Sequence, residues 1–131
     1  MIYAIIAISL LLLLVGFAVT ENNAHYLLNG YNTMSKEEQE QFDLKRFLAF
    51  FRNFHIVLAG SFFVISLLVS TLENETLSSA VIPGYPILAY IYMIKKSEDY
   101  ALSPNTRNEN KWGIIALSVT LLLAIGLAFI V

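Results

Sequence analysis

Between Met1 and Thr20 the chain carries no charged side chain, "MIYAIIAISLLLLLVGFAVT", and two later stretches repeat the pattern: "FHIVLAGSFFVISLLVSTL" over Phe54 to Leu72 and "WGIIALSVTLLLAIGLAFIV" over Trp112 to Val131. Runs of this kind leave few choices. Hydrocarbon offers no water to bond backbone N–H and C=O groups, so a spanning segment must satisfy them internally. A helix does this, and roughly 20 apolar residues rising about 1.5 Å each cross a hydrocarbon layer of about 30 Å. A shorter run, "LSSAVIPGYPILAYIYMI" from Leu77 to Ile94, adds a further span although it holds two prolines. The expected fold is therefore all-α: an integral membrane four-helix bundle, one transmembrane domain over residues 1–131. Its spans lie at about 1–20, 54–72, 77–94 and 112–131, with loops 21–53 and 95–111 between them. Composition agrees, since 57% hydrophobic and only 14% charged residues is too apolar for a soluble domain of this length.

The first run does not read as a cleaved leader. No basic residue precedes it, it exceeds the usual apolar length of about 7–15, and no small-x-small cleavage pattern follows. There is no cysteine, which removes disulfides, thiolate metal sites and a cysteine nucleophile. A formal net charge of −2 gives no reason to expect nucleic acid.

The distribution of charge says more than its sum. Lys36, Lys45, Arg46 and Arg52 fall between the first two spans, and Lys95, Lys96, Arg107 and Lys111 between the last two, which accounts for all eight basic residues. The short acidic connection Glu73 to Thr76 has none. Short loops rich in Lys and Arg stay in the cytosol. The expected placement is a bacterial inner membrane with both termini outside and both long loops in the cytosol.

The first of those loops contains "NGYNTMSKEEQEQFD", Asn29 to Asp43. Ser35 followed by Glu38 three positions on is a capping box. Glu37, Glu38 and Glu40 then crowd the first turns while Lys45 and Arg46 come later, as the helix dipole prefers. A helix is expected from Ser35. Leu44, Phe47, Leu48, Phe51, His55 and Leu58 recur on one face, with Lys45, Arg46, Arg52 and Asn53 largely opposite, so the helix should continue as an amphipathic cytosolic extension into the second span. Gly30 beside Asn29 is suited to a turn. Tyr31, Asn32, Thr33, Met34 and Ser35 complete a segment that reads either as a hinge or as a docking surface.

The segment Gly30, Tyr31, Asn32, Thr33, Met34, Ser35, Lys36, Glu37 and Glu38 resembles the signature of a family of small bacterial membrane proteins of unknown function, found in Firmicutes and Bacteroidetes. In that family a Gly-Tyr-Asn-Thr-Met-Ser-Lys-Glu-Glu motif follows the first membrane helix. The resemblance implies architecture and no chemistry, and a fourth span is a departure from its shorter members. The loop "SPNTRNENKW", Ser103 to Trp112, is similar only in outline to that of immunity proteins against peptide toxins, and Trp112 by itself reads as an interfacial anchor.

Candidate chemistry is sparse. Ion pathways place ionisable residues deep in spans, and here only His55 approaches one, at the cytosolic edge of the second helix, where an interfacial hydrogen bond is the simpler reading. His25 and His55 lack metal-site spacing. Pro83, Gly84 and Pro86 should kink or unwind the third helix, because each proline removes a backbone donor; Ser78, Ser79 or Tyr85 are placed to satisfy the freed carbonyls. Ala116, Thr120, Ala124 and Ala128 form a small-residue stripe suited to close helix packing, within the chain or with a protein partner. No nucleophile and base, nucleotide motif or metal set stands out. The expectation is a non-enzymatic protein without catalytic, metal or cofactor-binding residues. Its partners would be the lipid bilayer and a protein contacted through residues 29–52. An immunity protein and a small transporter or channel subunit are the alternatives.

Overall fold

The computed structural model describes residues 1–100 and 104–130, with the side chains of 29–30 and 104–107 outside the description. The middle of the second basic loop at 101–103, the motif side chains at 29–30 and the last residue of the fourth run therefore lie outside the described residues. All the regular structure among the described residues is helical: α1 (Ile2–Ala18), α2 (Ala24–Leu27), α3 (Asn29–Asn32), α4 (Lys36–Gln41), α5 (Leu44–Thr71), α6 (Glu75–Ser97) and α7 (Pro104–Ile130). By length and composition α5, α6 and residues Asn108–Ile130 of α7 suffice to cross a membrane, while α1 is apolar but has only 17 residues. Three helices thus meet the requirement outright. At about 1.5 Å per residue α1 spans about 25 Å, just short of the usual hydrocarbon thickness.

The long helices pack mainly in chain order, α1 on α5, α5 on α6 and α6 on α7. The core is shared by the first three of these: Ile5 and Leu12 of α1 meet Leu58, Ala59 and Phe62 of α5, with Ile82, Tyr85, Ala89 and Tyr90 of α6 against them. α7 flanks this group through α6. Gly84 is buried, and a Cβ there would stand 3.3 Å from Leu121 of α7, so the missing side chain is what admits that leucine. The arrangement is a three-helix core with a fourth helix laid on one side, where the sequence suggested a four-helix bundle.

Two expectations change in the connections. The helix begun at Ser35 does not run into the second span. It ends at Gln41, and the chain restarts at Leu44 because the Asp43 carboxylate accepts from the Arg46 N–H at 3.1 Å, capping a new helix. Gly30 lies in the single helical turn α3, not at a turn between helices. Between α5 and α6 the chain reverses tightly through Glu73, at φ 50°, after which the Asn74 side chain caps α6 by accepting from the Leu77 N–H at 2.9 Å. Pro83 and Pro86 lie inside α6 without interrupting it.

Candidate functional site

The polar segment after α1 is folded, and its order starts with Asn23. Its amide donates to the Ala18 carbonyl at 2.8 Å while its oxygen accepts from the Thr20 N–H at 2.7 Å, closing the end of α1 and turning the chain back. Ala24 is then fully buried with Val19 against Leu48 and Phe51 of α5, and Leu28 and Tyr31 pack beside them. The apolar face of the start of α5 is thereby covered by the chain itself. Its buried members are Leu48, Phe51, His55 and Leu58, with Leu44 and Phe47 half-buried, and Lys45, Arg46, Arg52 and Asn53 are exposed.

The capping box is present in full. The Glu38 N–H donates to Ser35 Oγ at 3.2 Å, and Glu38 Oε2 accepts from the Ser35 N–H at 2.8 Å. Gln39 Nε2 donates to the Tyr31 carbonyl at 2.9 Å, tying α4 back to α3. A trail of rings runs on from there. Tyr31 meets Phe42 at 5.7 Å between centroids, Phe42 meets Phe47 at 5.7 Å, and Phe47 meets the edge of Tyr100 at 5.7 Å. Of the motif residues, Tyr31 and Met34 face partly inward, whereas Asn32, Thr33 and Ser35 are exposed together with Lys36, Glu37 and Glu40.

Below this segment His55 is wholly buried among its neighbouring helices. Its Nδ1 lies 2.8 Å from the Phe51 carbonyl and its Nε2 lies 3.0 Å from Tyr90 Oη on α6. A carbonyl can only accept, so Nδ1 carries the hydrogen, and in the neutral ring Nε2 accepts from the Tyr90 hydroxyl. Gly16 of α1 closes the third side. Three helices therefore meet on one imidazole whose hydrogen-bonding capacity is filled. Tyr85 makes a second polar crossing from α6 to α5, donating to Ser61 Oγ at 2.7 Å, so its hydroxyl is not spent on the carbonyls freed by Pro83 and Pro86.

The small-residue stripe of α7 is only partly engaged. Ala128 is buried and Ala124 half-buried, but Ala116 and Thr120 are exposed, with the Thr120 hydroxyl donating to the Ala116 carbonyl at 2.9 Å. Contact with α6 runs instead past Gly113, near Ile94, and past Leu121 at Gly84. At the end of α6, Lys95 pairs with Glu98 at 2.8 Å and Lys96 with Asp99 at 2.6 Å. The hydrogen bond and charge of the Lys96 ammonium hold the Asp99 carboxyl below the usual carboxylate range. Among the described residues no three His, Asp or Glu side chains gather as metal ligands. Trp112 is exposed.

A chain built this way, with three span-length helices and a folded polar segment before the first of them, is of the integral membrane class. Residues 6–101 match the family described as a domain of unknown function, DUF3784, and the chain belongs to that family. The matched region takes in the α1–α5–α6 core and the folded segment, and it stops just before α7 begins at Pro104. No curated protein and no solved structure matches the chain.

Proposed function

We propose that the chain is a four-span bacterial inner-membrane protein that carries out no reaction of its own and serves as an accessory or interaction subunit. Its contact surface is the segment from Asn29 to Arg52, on the cytosolic side, with both chain ends outside. The observation that carries this reading is the folding of that segment. A mere tether between two spans needs no Asn23 clamp, no capping box and no Gln39–Tyr31 hydrogen bond. These bonds hold Asn32, Lys36, Glu37 and Glu40 exposed on a fixed backbone, and preorganised polar side chains are what a recognition surface requires. Placement in the cytosol follows from the clustering of Lys and Arg around this segment and around the α6–α7 connection.

The test is purification of the tagged protein in mild detergent from its native host, beside a Gly30→Ala, Asn32→Ala, Thr33→Ala variant that still inserts. The expected result is a stoichiometric companion present with the wild type and lost from the variant. A companion retained by both would place the contact elsewhere, on the α7 stripe first. If neither sample carries one, the interaction reading fails, and protection of sensitive cells against membrane-active toxins becomes the assay to run.

A further inference from the structure

An open groove of about 480 Å³ runs between α5 and α6, from Arg46 and Tyr100 at one end to Val57 at the other. Arg46, Phe50, Asn53, Phe54 and Val57 follow one another along a single face of α5, and eleven residues of helix carry that face about 16 Å from the polar end into the apolar one. The two ends differ in chemistry. At the first, the Arg46 guanidinium lies 5.4 Å from the centre of the Tyr100 ring, which is itself stacked on Phe50 at 5.4 Å. Neither Arg46 nor Asn53 makes a side-chain hydrogen bond or ion pair among the described residues; Asp99, close enough to feel the Arg46 charge, is itself paired with Lys96 at 2.6 Å. At the other end Val57 is exposed at 69%, on a helix long enough to cross a membrane, while Tyr92 of α6 lines the wall nearer Lys96.

We propose that this groove holds one anionic phospholipid, its phosphate on Arg46 and Asn53 and its acyl chain along Phe54 and Val57. A planar guanidinium fork matches a phosphate in a bidentate way, and the amide of Asn53 adds a neutral donor two turns deeper. Basic pockets between membrane helices at the cytosolic level collect such headgroups. Lipid rather than protein is the occupant because a guanidinium without a hydrogen bond or ion pair and the exposed apolar wall lie on one continuous track, in the order in which a phospholipid presents its headgroup and chain. The proposal rests on the reading that α5 begins at the cytosolic headgroup level.

Native mass spectrometry of the full chain, delipidated in mild detergent, tests it with phosphatidylglycerol, phosphatidylcholine and inorganic phosphate as probes. The wild type should retain one phosphatidylglycerol in preference to phosphatidylcholine, and Arg46→Gln and Asn53→Asp should each weaken that retention about tenfold. Lys111→Gln, the same loss of charge outside the groove and outside the proposed contact segment, should leave retention unchanged. Equal retention of both lipids overturns the proposal, as does equal weakening by Lys111→Gln, which would mean bulk charge. Displacement by inorganic phosphate at comparable concentration would make this a free-anion site and overturns it too. A lipid-free dimer broken by Arg46→Gln would make the groove an interface between copies. Retention is read in detergent, so it stands or falls independently of the companion experiment and of the chain's orientation.

Discussion

Gly16 of α1 sits directly on His55 of α5: a Cβ at Gly16 would stand 2.6 Å from His55 Cβ and 3.4 Å from the Arg52 carbonyl oxygen. Both neighbours belong to the body of a helix, so neither can swing away as the tip of a long side chain would. Gly16→Ala should therefore push α1 off α5 and lower stability by about 1–3 kcal/mol, the usual cost of overpacking. Gly60→Ala is the control, since nothing lies within 4 Å of its added Cβ, and it should be neutral or stabilising by up to about 1 kcal/mol from helix propensity. Thermal unfolding in detergent reads both. A Gly16→Ala protein as stable as the wild type would mean that α1 is not seated where the structure puts it.

The same imidazole makes a second prediction. Tyr90→Phe removes the hydroxyl that donates to His55 Nε2 and leaves that nitrogen buried without a partner. The expected loss is about 1 kcal/mol, because hydrogen bonds between membrane helices are worth roughly that or somewhat less. In a double-mutant cycle with His55→Phe, the coupling should be about 0.5–1 kcal/mol. Strict additivity would show that ring and hydroxyl do not meet.

What was legible in the sequence, and what was not, divides by the range of the interactions. Leu44, Phe47, Leu48, Phe51, His55 and Leu58 share a face by spacing, and the structure covers that face. The Ser35–Glu38 cap was equally readable, because both partners lie within four residues. The stop before Leu44 has its own local sign in Asp43, a helix-starting residue ahead of an apolar run, but a capping box eight residues upstream masks it by offering a start for the same apolar face. Asn23 gave the weakest local signal that still mattered, an amide five residues beyond the carbonyl it caps. The His55–Tyr90 bond had none. It joins residues 35 apart, and which of seven tyrosines meets the ring depends on how α5 and α6 are rotated about their axes. The lateral position of α7 was hidden for the same reason, since four apolar helices alone do not say which pairs touch.

Titration of Asp99 offers a check at the polar end of α6. Its folded carboxyl lies below the ordinary value of 3.8 because of Lys96, so the pair's contribution is fully present above 3.8 and is lost as pH falls through the depressed value. Both side chains are exposed, and added salt should weaken the effect. Carboxyl carbon NMR should show the Asp99 midpoint below that of an unpaired aspartate, and Lys96→Gln should raise it toward 3.8. An unchanged midpoint in the variant would remove Lys96 as the cause.

Orientation is the prediction on which the cytosolic placement depends. The chain has no native cysteine, so single introduced cysteines report without background. Thr76, at the start of α6, and Glu40, in α4, are both exposed, and only the connection that holds Glu40 carries Lys and Arg. Thr76→Cys should react with an impermeant maleimide added to intact cells, whereas Glu40→Cys should react only after the membrane is opened. The reverse pattern would put the folded segment outside, in conflict with the retention of Lys- and Arg-rich loops in the cytosol. Labelling of both sites in intact cells would mean that α5 does not cross. The short α1 makes the experiment sharper, because only the length and charge of the connections argue for its crossing. A helix of about 25 Å spans by local thinning of the bilayer at modest cost. With Glu40 inside and the N-terminus reached by an external label, that thinning is what the membrane around α1 must supply.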